Sequence, residues 1–126
     1  MRKVLDDHVF VVEDKLQLEA SPEGGRISGE VSCYDNIILD VMKHFTLRTV
    51  RGRKQARTTG YSYHARRRHG EDILRYDSAH RYPAHPTPHH KHDFSSGSEI
   101  ITHVGEDWPH LGEVLDELRD LAWGTP

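Results

Sequence analysis

The chain has one cysteine, Cys33, so no intramolecular disulfide can form and a cysteine-rich zinc site is excluded. Long apolar runs are also missing. No stretch of about eighteen apolar residues exists to cross a membrane as a helix, and Met1–Asp7 has no signal-peptide core. A soluble, cytoplasmic protein is therefore expected. Apolar residues make up only 35% and charged residues 29% of the 126 positions, which predicts a thin core under a highly charged surface. That length still suffices for a single domain, taken as 1–126, with a core of its own.

Charge and histidine are abundant, and both are unevenly placed. Residues 43–92 hold twelve Lys/Arg against three Asp/Glu, whereas the rest holds five against seventeen. The net charge of −3 thus conceals a basic middle, which suggests a patch able to track phosphates. Arg66, Arg67 and Arg68 are its densest point and the candidate RNA-binding residues. Five of the eleven histidines fall between His80 and His92, ending in Pro88-His89-His90-Lys91-His92. Imidazole is the side chain that exchanges protons near neutrality, and it is also the commonest metal ligand.

The patterning predicts a small antiparallel sheet packed against a C-terminal helix, an α+β fold. Short strands are expected at 9–12 and 15–20 about a Glu13-Asp14 turn, and a third where Ile27, Gly29, Val31 and Cys33 alternate with polar residues. Residues 34–47 fit both a helix and a strand template, although Asp35-Asn36 suits a tight hairpin turn. Residues 50–57 read as a basic turn. Next, Thr58–Arg66 and Glu71–Asp77 form a hairpin around His69-Gly70, pairing Ser62 with Asp77, Tyr63 with Tyr76, His64 with Arg75 and Ala65 with Leu74. One face then carries Ser62, His64, Arg75 and Asp77. The other carries Tyr63, Ala65, Leu74 and Tyr76 toward the core. Residues 78–98 show no regular element, and a short strand is expected at 99–104. Asp107 is the expected N-cap of the helix, with Pro109 in its first turn, an apolar stripe of Leu111, Val114, Leu115, Leu118, Leu121 and Ala122, and Gly124 as its stop.

Two chemistries fit these residues. Metal-free cleavage of RNA needs a base for the 2′-hydroxyl, an acid for the leaving 5′-oxygen and a cation beside the phosphorane. His89, Lys91 and His92 offer these together, and the hairpin face adds His64, Arg75 and Asp77, with Asp77 as a candidate partner for His64. Alternation sends Lys91 and His92 to opposite sides of an ideal strand, so one site using both requires a bend. Alternatively, His90 and His92 supply half of a metal site completed by His64, Asp77 or His85, as in a metal-dependent nuclease or phosphotransferase. No HExxH or paired-carboxylate motif accompanies them. A third reading is a non-catalytic module that binds RNA or protein through its basic stretch.

Three segments in order, Tyr61-Ser-Tyr-His64, Arg75-Tyr-Asp-Ser78 and Pro88-His-His-Lys-His92, resemble the TumE-type toxins of prokaryotic toxin–antitoxin pairs over roughly residues 26–122. The family tends to read Arg-Tyr-Asp-Asn-Ala-Pro where this chain has Arg75-Tyr-Asp-Ser-Ala-His80, so His80, Arg81 and Tyr82 are not carried over. His64, Arg75, Asp77, His89, Lys91 and His92 are the matched polar set. The resemblance implies a strand at 37–47, a meander followed by a helix, a helix-turn-helix type antitoxin as partner and a ribonucleolytic activity on RNA. No cofactor is expected.

Overall fold

A computed structural model of the chain describes residues 8–78, 90–94, 100–103 and 110–124. Its strands are β1 (Val11–Asp14), β2 (Gln17–Ser21), β3 (Gly24–Cys33), β4 (Ile37–Val50), β5 (Arg53–Arg67), β6 (Asp72–Asp77), β7 (His90–Asp93) and β8 (Ile100–His103). Among the described residues one helix, α1 (Leu111–Trp123), follows. The strands form one antiparallel sheet in the order β1-β3-β4-β5-β6-β7-β8, with β2 also on β3. This is the expected α+β meander, and every step from β3 to β8 joins sequence neighbours.

The reversal expected at Glu13-Asp14 does not occur. β1 pairs with the end of β3 (Asp14 opposite Val31) and β2 with its start (Gln17 opposite Ser28), so the two run on as one interrupted edge strand. At the interruption Gly29 has φ +147°, and a Cβ there would stand 2.3 Å from the Lys15 carbonyl oxygen. Glycine alone fits both demands.

The ambiguity at 34–47 resolves as strand because the turn before it is locally encoded. Asp35 and Asn36 have φ of 59° and 57°, the two left-handed residues that a tight hairpin turn needs. The next hairpin turns at Arg51-Gly52 alone, and its arms pair from Val50–Arg53 inward. The basic segment read as a turn at 50–57 is therefore mostly strand. Its cations gave no apolar alternation to mark it.

The β5–β6 register is as predicted: Ser62 opposite Asp77, Tyr63 opposite Tyr76, His64 opposite Arg75 and Ala65 opposite Leu74. A bulge follows between Ala65 and Arg66, which brings Arg66 opposite Asp72. The loop expected across 78–98 contains a strand, β7, which pairs with β6 (Arg75 opposite His92) and β8 (His92 opposite Ile101). Its sequence His-Lys-His-Asp has no apolar member, so sheet pairing rather than local propensity makes it a strand.

The core lies between one sheet face and the helix. Val31, Leu39, Val41, Tyr61, Tyr63, Ala65, Leu74 and Tyr76 meet Leu111, Val114, Leu115 and Leu118 there, with Phe10 closing one end. The aromatic rings of Phe10, Tyr34 and Trp123 cluster at that end, Phe10 edge-on to Trp123 at 5.0 Å between centroids. Leu121, expected in the apolar stripe, is exposed, and Ala122 is partly buried. The helix also begins later than expected, after His110, whose backbone N–H donates to the Glu113 carboxylate at 3.1 Å. The expected cap residues Asp107 and Pro109 lie outside the described residues. Among the described residues no helix is long and apolar enough to cross a membrane.

Candidate active site on the face opposite the helix

Antiparallel pairing places residues directly opposite one another on the same face. The registers therefore define a row across five strands: Glu30, Asp40, His64, Arg75 and His92. A second row, two residues along, contains Met42, Ser62 and Asp77. Both rows face away from the helix, since their strand neighbours Leu39, Val41, Tyr63, Leu74 and Tyr76 fill the core.

Asp77 is the anchor of this face. Its side chain is 4% exposed, and its Oδ2 lies 2.8 Å from Arg75 Nε and 3.5 Å from His92 Nε2. The His92 ring is 2% exposed, with Nε2 also 3.4 Å from Arg75 Nη2. Burying a carboxylate is costly unless cations and donors surround it, and here a guanidinium and an imidazole do so. The Arg75 Nε–H does not aim along the short line to Asp77, so it is buried without an aligned acceptor and the contact is chiefly Coulombic. His92 Nε2 has two incompatible uses. It accepts from Arg75 when it carries no proton, and donates to Asp77 when it carries one.

Arg75 itself is 36% exposed, so the guanidinium reaches from this buried carboxylate to solvent. Beside it on β5, His64 is 29% exposed, with Nε2 2.6 Å from Asp72 Oδ1. The carboxylate on His64 is thus Asp72, not Asp77 as expected. The bulge after Ala65 draws Asp72 one position closer, while Asp77 is taken by Arg75 and His92.

Lys91 lies apart from this group. β7 is a regular strand, so Lys91 turns to the helix side, 3.0 Å from Glu117 and 5.5 Å from the centre of the Tyr76 ring. The Tyr76 hydroxyl donates to the same carboxylate at 3.0 Å. Burial, with Glu117 beside it, raises the Tyr76 pKa and keeps that proton in place. The bend that would unite Lys91 with His92 is absent. His89 lies outside the described residues.

The three arginines also separate. Arg66 Nε is 2.9 Å from Asp40 and its Nη2 3.2 Å from Glu30, and the bond to Asp40 raises its pKa. Arg67 donates to the Asp35 carbonyl at 3.2 Å, and Arg68 is exposed at the turn. Sequence reasoning missed Asp72, Asp40, Glu30 and Glu117 as partners. The β3–β4–β5 register would have revealed Asp40 and Glu30, and the helical position of Glu117 relative to Leu118 would have hinted at its place.

A meander sheet backed by α1, with a guanidinium–carboxylate–imidazole cluster on the face opposite the helix, defines an α+β protein with a polar site built across strands. The family model described as Toxin TumE matches residues 1–121, and the chain belongs to that family. It is accordingly a toxin component of a toxin–antitoxin system, and an antitoxin is its expected partner. Searches of the curated proteins and of the solved structures each found no match.

Proposed function

We propose that this toxin is a metal-independent endoribonuclease that cleaves cytoplasmic RNA, with Arg75 and His64 as the groups that meet the scissile phosphate. The observation that carries the reading is the adjacent, partly exposed pair His64–Arg75 on the face opposite the helix, each held by its own carboxylate, Asp72 and Asp77. A half-exposed guanidinium fixed from behind stabilises negative charge on a phosphorane, because its orientation is set before the reaction begins. An imidazole whose Nε2–H is held by a carboxylate presents Nδ1 to take or give a proton.

Cleavage requires that a base remove the 2′-hydroxyl proton as the 2′-oxygen attacks phosphorus. The P–O5′ bond then breaks, and an acid protonates the departing oxygen. The products are a 2′,3′-cyclic phosphate and a 5′-hydroxyl. His64 supplies one of these proton transfers and His89 is the candidate for the other. His92 is nearly sealed from solvent, so it acts as a positioning residue for Arg75 together with Asp77. Lys91 anchors strand to helix through Glu117 and keeps β7 in register. Arg68 remains available to phosphates, whereas Arg66 is already occupied by two carboxylates. Neutralisation by a helix-turn-helix type antitoxin completes the proposal.

The arrangement disfavours a metal at His92. A cation bound to Nε2 would stand against the Arg75 guanidinium, 3.4 Å from that nitrogen. The test uses purified, antitoxin-free protein and end-labelled RNA, with and without EDTA. Cleavage that survives EDTA and leaves 2′,3′-cyclic ends, and that is lost in Arg75→Ala and His64→Gln, is the expected result. Loss in EDTA would convert the histidines into ligands, and a missing limb of the pH–rate profile in His92→Asn would make His92 a proton-transfer group.

A further inference from the structure

The β4–β5 hairpin continues past the rest of the sheet. β3 ends its pairing with Gly24 opposite Thr46, and β6 begins its pairing with β5 only at Ser62. Beyond Leu47 the element is a two-stranded ribbon, paired from Arg48–Gln55 out to Val50–Arg53. Arg48, Arg51, Arg53 and Lys54 stand on this arm and Arg57 at its base, opposite Thr46, all exposed, and residues 41–70 contain no Asp or Glu.

Most other cations among the described residues are paired with carboxylates, the exceptions being Lys15, Lys43, Arg67 and Arg68. Arg26 meets Glu19, Arg66 meets Asp40 and Glu30, Arg75 meets Asp77, Lys91 meets Glu117, and Arg119 meets Asp116 and Asp120. Among the described residues, no carboxylate approaches any of the five ribbon cations, and Lys54 donates only to the Pro22 carbonyl. Paired charges cancel at a distance, while unpaired ones add to a field that draws a polyanion.

The register also sorts them by face. β4 keeps its two-residue alternation while β5 takes up a bulge at Thr59, opposite the His44–Phe45 step, so Asp40, Met42, His44, Thr46 and Arg48 share the face of the candidate site. Across from them stand His64, Ser62, Gly60, Arg57 and Gln55, and Arg53 follows opposite Val50. Arg57, Arg48 and Arg53 therefore continue the face that bears His64 and Arg75, whereas Lys43 and Lys54 belong to the other. At about 3.4 Å per residue, the rows from Asp40 to Val50 span roughly 34 Å.

We propose that the site face of the β4–β5 ribbon is the track for single-stranded RNA, with Arg53, Arg48 and Arg57 holding successive phosphates and leading the chain to His64 and Arg75. The inference rests on RNA being the substrate. An extended polyanion fits an exposed row of cations, and a single strand can follow it without the fixed groove width that a duplex imposes.

The test measures binding of a fluorescein-labelled, fully 2′-O-methylated RNA oligonucleotide, which lacks the attacking hydroxyl, in EDTA over a range of salt. The triple variant Arg48→Gln/Arg53→Gln/Arg57→Gln is compared with Lys43→Gln/Lys54→Gln on the other face. Three lost phosphate contacts on a single strand should lower the slope of log K against log salt by ~2, equivalent to ~100-fold weaker binding at 0.1 M. The Lys variant should bind nearly as the wild type, and both should keep the wild-type unfolding midpoint. Unchanged affinity in the triple variant, or equal losses in both, would overturn the track. Cleavage of unmodified RNA by the wild type reports on the reaction separately. A protein that cleaves with the triple variant unimpaired loses only the track, and one that binds through the ribbon without cleaving loses only the ribonuclease.

Discussion

Asp77→Ala removes the carboxylate that Arg75 and His92 share, and its cost follows from burial. An exposed ion pair is worth about 0–1 kcal/mol, whereas breaking a buried one by deleting a partner costs about 3–5 kcal/mol because a charge is left behind. The Asp77 side chain is 4% exposed, which places the pair in the second regime. Arg75 is 36% exposed and can turn partly to water, so the low end applies, about 3 kcal/mol. For 126 residues the unfolding entropy is about 0.26 kcal/mol/K, so the midpoint should fall by ~11 °C. Thermal and urea unfolding followed by circular dichroism measure this, with the urea slope unchanged. A second arm isolates the cause. If the orphaned guanidinium carries the cost, Asp77→Ala/Arg75→Gln should recover about 1–2 kcal/mol relative to Asp77→Ala alone. A loss below about 1 kcal/mol, or no recovery in the double variant, would refute the claim that Asp77 is the electrostatic anchor of this face.

Alkaline pH should destabilise the fold through buried acids held in their neutral form. Burial pushes the Cys33 thiol up to about 12 and raises Tyr61, Tyr63 and Tyr76 further above the ordinary tyrosine range. The folded chain then binds more protons than the unfolded one, so this stability is complete below the unfolded values, near 8.5 and 10, and is lost as pH rises through the folded ones. In a Tyr34→Phe/Tyr82→Phe background, which leaves Tyr61, Tyr63 and Tyr76, tyrosinate absorbance should appear together with unfolding rather than before it. In the helix, Leu118→Ala should cost about 2–5 kcal/mol in urea unfolding, because Leu118 is fully buried, whereas Leu121→Ala on the exposed side should cost under about 1 kcal/mol.

The parts of this fold that were legible in the sequence are those where local chemistry and burial agree. Asp35-Asn36 encodes a tight turn by tolerance of positive φ, and alternation across 61–65 and 74–77 leaves one register for β5 and β6 that puts three tyrosines inward. What stayed hidden carries no apolar signal. β7 is His-Lys-His-Asp and the outer arm of β5 is nearly all polar, so both owe their strand conformation to neighbours rather than to their own pattern. The same division runs through the candidate site. Residue types and spacing singled out His64, Arg75, Asp77 and His92, and the two-residue period already warned that Lys91 would point away. Which carboxylate serves which base was not legible, because it depends on one extra residue in a strand. Without the bulge between Ala65 and Arg66, Asp72 would sit one position further from His64 and on the other face. With it, Asp72 takes His64, and Asp77 is left to Arg75 and His92. That single irregularity leaves an imidazole and a guanidinium, each held by its own carboxylate, side by side at the surface, an arrangement that no count of histidines contains.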